Sequence, residues 1–246
     1  MNFYSVIIGT ELLNGRRTDA HFEFLNKELL KRGWEQKASF VIKDDPKFME
    51  DVFTLIKNDP KSVMFSFGGI GATPDDYTRE VAAKVFRDGK TEQNQIAKQM
   101  IIDKFKEEAY PNRINMATLP TDVVLLKNIV SNVPGFGIDE RFFFTPGFPS
   151  MSRAMVVEAL DRFYPQSDKQ KTRYTLKAKC SEDILVATMK KIPSGIDFSS
   201  LPQIDGEKRT TVISVASYDK EEAKKYFDIF VEFLDSKNIN YTLEDD

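Results

Sequence analysis

The chain has 246 residues, of which 41% are hydrophobic and 30% charged, and its formal net charge at pH 7 is -3. A chain of this length can form one large domain or two modest ones, and its slightly acidic charge without a basic tract argues against nucleic acid as the main partner. No stretch approaches the ~20 apolar residues of a membrane span, no signal peptide is visible, and the single cysteine, Cys180, cannot form an internal disulfide, so we expect a cytoplasmic protein.

The first seventy residues alternate between predicted strands and helices. Apolar, β-prone runs predict strands at residues 3–8, 34–41 and 62–67. The helix between the first two strands is predicted to start at Thr18 or Asp19 and to end at Gly33. The apolar face predicted for the next helix consists of Phe48, Val52, Phe53 and Ile56. Repeated β-α-β units of this kind predict a parallel sheet covered by helices on both faces.

A glycine-rich turn follows the third predicted strand and leads into a helical pattern at residues 80–87. It reads Gly-Gly-Ile-Gly-Ala-Thr-Pro-Asp-Asp-Tyr-Thr from Gly68 to Thr78. Glycines allow close backbone approach, and free amide N–H groups beside a helix N-terminus favour an anion such as phosphate. Asp75 and Asp76 would repel a bare phosphate, but they suit a hydroxyl, an amine or a cation that bridges to the phosphate. The alternative is a plain strand-to-helix connection with Asp or Thr as the N-cap.

Three loops directly follow the predicted strands and carry polar groups. They are residues 9–15, where Glu11 lies between two glycines, the pair Asp44 and Asp45, and residues 68–76. In parallel sheets, ligands bind outside the carboxyl ends of the strands. The three loops are therefore expected to converge on one edge of the sheet and to form a single site.

The next part of the chain predicts the end of the first domain. Residues 91–109 predict one long amphipathic helix with Ile96, Met100, Ile101 and Phe105 on one side. Short strands are predicted at 123–126 and 141–145, and a helix is predicted at 150–163, with no element assigned to residues 131–137. The polar segment 164–171 then marks a boundary, so we expect domains at residues 1–165 and 172–246.

The second predicted domain has the element order β-α-β-β-α-β, which is typical of a small α+β sandwich. Its predicted strands are 173–179, 200–204, 210–217 and 241–243, and its predicted helices are 181–191 and 219–238. A KH-type RNA-binding domain needs a Gly-x-x-Gly loop. Because this segment contains only Gly195 and Gly206, RNA binding is disfavoured.

Five short motifs occur along the chain in a fixed order. They are Gly9-Thr10-Glu11-Leu12-Leu13-x-Gly15, the glycine-rich stretch from Gly68 through Arg79 and Glu80, Ala117-Thr118-Leu119-Pro120, Pro134-Gly135-Phe136 and Pro146-Gly147-Phe148-Pro149. Together they resemble the molybdopterin-binding fold of MogA, MoaB and gephyrin, and more closely the amino-terminal domain of CinA. The resemblance implies an α/β, three-layer, parallel-sheet MogA-like domain. Residues 172–246 are similar to CinA's small, KH-like middle domain, and CinA's carboxyl-terminal deamidase domain has no counterpart.

The CinA branch of the family implies hydrolysis of a dinucleotide pyrophosphate of ADP-ribose type, with a divalent metal (Mg²⁺, Mn²⁺ or Co²⁺) and potassium. By similarity, Asp76, Asp44 and Glu11 are the catalytic carboxylates, and Asp76 and Asp44 hold the metal. The residues that the resemblance assigns to the ligand and its phosphate are Gly68, Gly69, Gly71, Thr73, Asp75, Thr78 and, on the opposite wall, Gly147. The alternatives are a non-catalytic module that binds molybdopterin or a nucleotide, and a molybdenum cofactor biosynthesis protein. A homo-oligomer, dimer or trimer, is expected.

The chain also departs from the family pattern. The unusual positions are Ala72 in place of proline, Asp19-Ala20-His21, Arg113, Met116, Ser131-Asn132-Val133 and Ser150-Met151-Ser152, where a glutamate is usual. We expect several of these positions to line the cleft and to change ligand choice or weaken catalysis. His21, the only histidine, is either a metal or substrate contact or a solvent-facing helix residue. Arg16, Arg17 and Arg79 are candidates for phosphate contact, and at least one of them is expected on the solvated surface.

Overall fold

The computed structural model describes residues 1–167, 170–205 and 208–244. The chain divides into two compact units, Met1–Ser167 and Asp168–Asp246. No helix within the described ranges is long and apolar enough to cross a membrane.

A six-stranded sheet forms the centre of the first unit. The strands of this unit are β1 (Asn2–Ile8), β2 (Gln36–Ile42), β3 (Ser62–Phe67), β4 (Thr91–Gln93), β5 (Thr118–Pro120), β6 (Val123–Leu126), β7 (Gly135–Ile138) and β8 (Phe142–Thr145). The sheet order is β2-β1-β3-β8-β7-β6, in which β2, β1, β3 and β8 are parallel and β7 pairs antiparallel with both β8 and β6. Strands β4 and β5 form a separate antiparallel ribbon. The predicted α/β class is confirmed, with a sheet that is mainly rather than wholly parallel.

Helices cover both faces of this sheet. They are α1 (Thr10–Leu13), α2 (Phe22–Lys31), α3 (Pro46–Lys57), α4 (Thr78–Phe86), α5 (Gln95–Phe105) and α6 (Pro149–Phe163). Because successive strand residues point to opposite faces, Met64 of β3 joins the core formed with α3 and α4, and Phe65 joins the core formed with α2 and α6. These two apolar cores produce the three-layer arrangement that the sequence predicts.

Aspartate side chains define where two of these helices begin. The Asp45 carboxylate accepts hydrogen bonds from the backbone N–H groups of Lys47 and Phe48, and Pro46 occupies the first helical position of α3. The Asp19 carboxylate accepts from the N–H groups of His21 and Phe22. Of the two predicted caps for α2, Asp19 is the one that accepts from backbone N–H groups at the start of the helix, although the residue at the N-cap position is His21.

Several local predictions are wrong. Residues 91–109 do not form one helix, because β4 pairs with β5 and the Asn94 side chain caps α5 by accepting from Ala97 N at 3.0 Å. Ile96 is consequently 67% exposed. In α3, Phe48 is half exposed and Met49 occupies the core instead. Residues 10–13 form a helical turn rather than a loop.

The strand β7 was not predicted from the sequence, because two of its four residues are glycine, which is depleted in strands. In the structure, a Cβ at Gly135 would lie 2.6 Å from the carbonyl oxygen of Phe144, and one at Gly137 would lie 2.9 Å from the ring of Phe143. Glycine is used here because the neighbouring strand approaches closely.

The second unit contains a four-stranded antiparallel sheet. Its strands are β9 (Thr172–Ala178), β10 (Asp197–Asp205), β11 (Lys208–Ser217) and β12 (Tyr241–Glu244), in the order β10-β11-β9-β12. One face is covered by α7 (Val186–Met189) and α8 (Lys220–Ser236), and Phe227, Phe230 and Leu234 of α8 are buried against it. The predicted element order is confirmed, although residues 181–191 form a 3₁₀ turn and one helical turn instead of a longer helix. Gly206 lies outside the described residues.

Candidate functional site

Two glycines shape the backbone between β3 and α4. Gly68 and Gly69 have φ angles of +107° and +68°. Residues other than glycine rarely adopt this part of backbone conformational space. A Cβ at Gly68 would lie 2.5 Å from the Ile8 carbonyl oxygen, and one at Gly69 would lie 2.2 Å from Thr78 Oγ1. The space beside each of these glycines is thus filled by the protein itself, and this close packing determines the path of the loop.

Thr78 lies beneath this loop rather than facing a ligand. It is fully buried, and its hydroxyl donates to the carbonyl oxygen of Gly68 at 3.0 Å while its N–H donates to that of Gly69. The predicted contact between Thr78 and phosphate is therefore wrong, because the hydroxyl proton is already used inside the protein. Its position explains why a threonine follows the acidic residues of the loop.

The loop presents several backbone donors that have no acceptor in the protein. Across the ranges that the structure describes, the N–H groups of Gly69, Ile70, Gly71 and Ala72 donate to no other residue. Consecutive free N–H groups in a turn with positive φ angles form a concave site that favours anions. This is the local feature that the glycine-rich sequence predicts.

The three loops predicted to converge do line one cavity of about 390 Å³, at the carboxyl ends of β1, β2, β3 and β8. The predicted site residues that line it are Glu11, Asp44, Gly68, Gly69, Gly71, Thr73, Asp75, Asp76 and Gly147. Of the residues assigned to the site from the sequence, Thr78 alone does not line this cavity. The parallel-sheet rule therefore placed the cavity correctly.

The two aspartates of the cavity are each oriented by a threonine. Asp44 Oδ2 accepts from the N–H and hydroxyl of Thr10 at 2.8 and 2.9 Å. Asp76 Oδ2 accepts from the N–H and hydroxyl of Thr73 at 2.8 and 2.5 Å. In both carboxylates Oδ1 has no hydrogen-bond partner among the described residues. The role of Thr10 was missed, although it lies in the Gly9-Thr10-Glu11 motif.

The remaining acidic groups do not complete a cluster of metal ligands. Glu11 lies 3.7 Å from the Arg17 guanidinium, and the Asp75 side chain is exposed. Among the residues described, no group of three or more His, Cys, Asp or Glu side chains is placed to hold a metal ion. Any metal at this cavity would therefore need ligand atoms from a substrate or from water.

Gly147 lines the cavity directly beside the glycine-rich loop and not on an opposite wall as predicted, because a Cβ on it would lie 3.4 Å from Gly68 Cα. Its carbonyl oxygen accepts from His21 Nε2 at 3.2 Å and from Arg17 Nη2 at 3.3 Å. His21 is buried and stacks on Phe67 with ring centroids 4.4 Å apart, and its Nδ1 accepts from the Ser152 hydroxyl at 3.4 Å. Both predicted roles of His21 are wrong, because its two ring nitrogens are occupied and the ring is not exposed. Burial lowers the pKa of His21, so its neutral form is favoured.

The three candidate arginines have different environments. Arg16 is exposed and contacts Asn14, whereas Arg17 lines the cavity with its guanidinium 5.5 Å from the ring of Phe148. Arg79 donates from Nη1 to the carbonyl oxygen of Gly71 at 2.6 Å and lines a second cavity of about 400 Å³. This second cavity shares Ala72, Thr73 and Asp76 with the first.

Comparison with known proteins gives the family. Residues 5–165 match the family described as "Probable molybdopterin binding domain". The chain belongs to this family. The CinA-like protein of Fusobacterium nucleatum is 30% identical over 192 residues, which cover 76% of this chain and 47% of that protein. The CinA-like protein of Crocosphaera subtropica is 32% identical over 157 residues, covering 61% of this chain and 38% of the relative. This chain thus matches less than half the length of either relative.

A solved structure supports the CinA type of this molybdopterin-binding domain. The crystal structure of CinA from Thermoplasma acidophilum, a protein described as of unknown function, aligns with a TM-score of 0.59 at 26% identity. The alignment covers 66% of this chain and 98% of that one. The predicted membership in the molybdopterin-binding domain family, with a domain of CinA type, is confirmed.

Departures from the family motifs are distributed unevenly around the molybdopterin-binding domain. Ala72 lines both cavities, whereas Arg113 and Met116 line neither. Arg113 is paired with Glu108 and stacks on the ring of Phe105, and Met116 packs against the core. The expectation that several departures line the cleft is supported at Ala72 and is wrong for Arg113 and Met116.

Proposed function

We propose that the first unit is a metal-dependent pyrophosphatase that cleaves the phosphoanhydride of an ADP-ribose-type nucleotide. One observation carries the proposal: Glu11, Asp44 and Asp76 line the same cavity as the free N–H groups of residues 69–72. Preorganised N–H donors stabilise charge that develops on phosphate oxygens, while carboxylates suit a divalent cation. The two groups side by side suit hydrolysis of a pyrophosphate.

Asp44 and Asp76 fit such a cation, because each retains one carboxylate oxygen without a protein partner. Mg²⁺ is often bound by only one or two carboxylates, with substrate phosphates and water completing its coordination, so a third protein carboxylate is not required. Mn²⁺ and Co²⁺ take the same oxygen ligands. A bound ion would polarise the phosphoanhydride and acidify a water molecule. Thr10 and Thr73 orient the two carboxylates, and potassium is proposed as a second ion.

The residues that line the cavity bind the phosphate oxygens and accept the proton released in the reaction. The N–H groups of residues 69–72 hold non-bridging phosphate oxygens, and Gly147 lines the cavity beside Gly68. Glu11 accepts a proton from water as that water adds to one phosphorus. The bridging P–O bond then breaks, and two monophosphates leave.

A second candidate function is a binding module without turnover for a nucleotide or a molybdopterin-like phosphate. It is favoured by the lack, in the described ranges, of a group of three side chains placed to hold a metal ion. It is also favoured by Ser150-Met151-Ser152, which lacks the glutamate that the family pattern usually has after Pro149. The two candidates predict the same ligand cavity and differ only in product formation. Self-association and a cytoplasmic location stay predictions.

The test is Asp76→Asn, which keeps an acceptor for Thr73 but removes the charge. We expect kcat/KM for ADP-ribose to fall about 100-fold or more, measured as AMP release by chromatography with Mg²⁺, Mn²⁺ and Co²⁺ in turn. Asp88→Asn, an exposed aspartate paired with Lys90 away from the cavity, is the matched control and is expected to retain activity. Unchanged turnover in Asp76→Asn would contradict the proposed mechanism. ADP-ribose binding to the unchanged protein without product would instead favour the binding module.

A further inference from the structure

The cavity lined by Glu11, Asp44 and Asp76 is called here the candidate catalytic cavity. Of the described residues that line it, Arg17 is the only one with a cationic side chain, and Asp75 is a fourth carboxylate. Like charges repel, and a glutamate has a long side chain that is flexible unless contacts restrict it. Glu11 therefore needs a contact that keeps its carboxylate on the cavity lining if it is to accept a proton there.

The chain turns back between Glu11 and Arg17 and brings the two side chains together. Gly15 has a φ of +78°, in the region that favours glycine. After this turn the Arg17 N–H donates to the carbonyl oxygen of Glu11 at 3.1 Å. The side chains then meet with Arg17 Nη1 3.7 Å from Glu11 Oε1. Arg16, the preceding residue, contacts Asn14 instead, so only the second of the two arginines reaches the cavity.

The Arg17 guanidinium is itself held by the segment that follows β8. Its Nη2 donates to the carbonyl oxygen of Gly147 at 3.3 Å, and its central carbon lies 5.5 Å from the centroid of the Phe148 ring. Because the guanidinium is planar and its donors have fixed directions, these contacts also fix the direction of Nη1. Arg17 is therefore oriented towards Glu11 by residues far away in the sequence.

Gly9 provides a second contact that restricts Glu11. A Cβ on Gly9 would lie 3.0 Å from Glu11 Oε2 and 3.1 Å from Oε1. The carboxylate thus occupies space that the side chain of any other residue at position 9 would fill. It lies against the backbone of Gly9 and beside the Arg17 guanidinium, so its position is defined by both.

The ion pair between Arg17 and Glu11 contributes little to folding. The two side chains are 38% and 40% exposed, and ion pairs with this much exposure add little to the free energy of unfolding. Removal of the Arg17 charge should therefore leave the fold intact. Its effect should appear instead in the orientation of the Glu11 carboxylate.

We propose that Arg17 is a positioning residue that holds the Glu11 carboxylate where the attacking water loses its proton. The inference rests on the proposed function and adds to it a residue that acts through Glu11 rather than on the substrate. The proton passes from water to Glu11 as the water oxygen bonds to phosphorus. Arg17 stays protonated throughout and only keeps the accepting oxygen in place.

The test is a double-mutant cycle in the full chain, with kcat and KM for ADP-ribose measured as AMP release in Mg²⁺. Arg17→Gln is expected to lower kcat about 10-fold and to change KM less than about 2-fold, because the base is misplaced while the substrate contacts are kept. Glu11→Gln alone is expected to lower kcat about 100-fold. Adding Arg17→Gln to Glu11→Gln should lower kcat no further, because the two residues act as a unit.

Two further variants and a control sharpen the cycle. Arg17→Lys keeps a charge for Glu11 and should recover kcat to within about 3-fold of the unchanged protein. Gly9→Ala places a methyl group against the carboxylate at an extended φ of 169°, and we expect it to lower kcat about 5-fold without raising KM. Arg16→Gln, an exposed arginine outside the cavity, is the matched control and should change neither constant.

The outcomes separate this inference from the function on which it rests. If Arg17→Gln raises KM with kcat unchanged, or still lowers kcat in the Glu11→Gln background, Arg17 does not act through Glu11 and the inference is overturned. Cleavage of ADP-ribose by the unchanged protein, lost in Asp76→Asn, would then still uphold the proposed function. If the unchanged protein does not cleave ADP-ribose, the proposed function and the inference are both rejected. Thermal melting of each variant confirms that it folds.

Discussion

His21 donates a hydrogen bond from Nε2 to the carbonyl oxygen of Gly147 over 3.2 Å, and thereby links segments that are 126 residues apart in the sequence. Because a carbonyl oxygen only accepts, this contact assigns the proton of the neutral ring to Nε2 and leaves Nδ1 to accept from Ser152. The histidine thus supports one wall of the candidate catalytic cavity from below. Its contribution is to the position of Gly147 and not to the chemistry.

Replacing His21 should therefore destabilise the first unit. His21→Ala removes a buried hydrogen bond and the stacking on Phe67, and we expect a loss of about 2 kcal/mol in the free energy of unfolding. Urea denaturation followed by fluorescence measures this loss. Phe22→Ala, at the adjacent and half-exposed position, is the control and should cost clearly less. Equal losses for the two variants would show that the His21 contacts are not important.

The buried histidine also predicts a pH dependence of stability. The pKa of His21 is lowered in the folded state from its ordinary value of 6.5, so below this pH the unfolded chain binds a proton more readily than the folded one. By linkage, the stability that His21 contributes is complete above pH 6.5 and is lost as the pH falls towards the lowered value. Urea unfolding at pH 8, 7, 6 and 5 should show this decrease. His21→Asn, which keeps a donor but does not titrate, should show a smaller decrease over the same range; an identical slope would contradict the prediction.

We expect glycine-to-alanine substitutions to lower the free energy of unfolding by different amounts at different glycines. Gly69→Ala combines a positive φ with a 2.2 Å approach to Thr78 Oγ1, and we expect it to cost about 3 kcal/mol. Gly89→Ala is the matched control, because Gly89 has a similar φ of +81° and open space around it. Backbone strain alone should cost about 1 kcal/mol there. Thermal and urea melting of the two variants provide the comparison, and similar costs would show that Thr78 does not constrain the loop.

Substitutions at Thr78 test whether its hydroxyl holds the glycine-rich loop in place or contacts a ligand directly. Thr78→Val removes the hydroxyl that donates to Gly68 and leaves a buried carbonyl oxygen unsatisfied, which we expect to cost about 2 kcal/mol in stability. Thr78→Ser keeps the hydroxyl and should recover most of this loss. The two variants are compared by urea unfolding in the absence of any nucleotide. If Thr78→Val leaves the stability unchanged but weakens ADP-ribose binding, the Thr78 hydroxyl contacts the ligand and the prediction is contradicted.

The sequence predicted the location of the cavity better than it predicted the contacts of individual side chains. Apolar runs and glycines located β1, β2 and β3 and the loops after them, and the geometry of parallel strands then brought Glu11, Asp44 and Asp76 to one cavity. The spacing of residues along the sequence could not predict the burial of His21 or the hydroxyl contact of Thr78, because each depends on a partner from another segment. The second cavity was missed for the same reason, although Thr118 belongs to a recognised motif.

By itself, the amino-acid sequence determined the order of strands and helices through its apolar periodicity, and determined where the chain can turn through its glycines and prolines. The tertiary structure alone decided which polar atoms face a cavity and which are consumed inside the protein. The reason is physical: periodicity is a local property of the chain, whereas the hydrogen-bond partner of His21, Thr78 or Arg79 is fixed only when distant segments pack against one another.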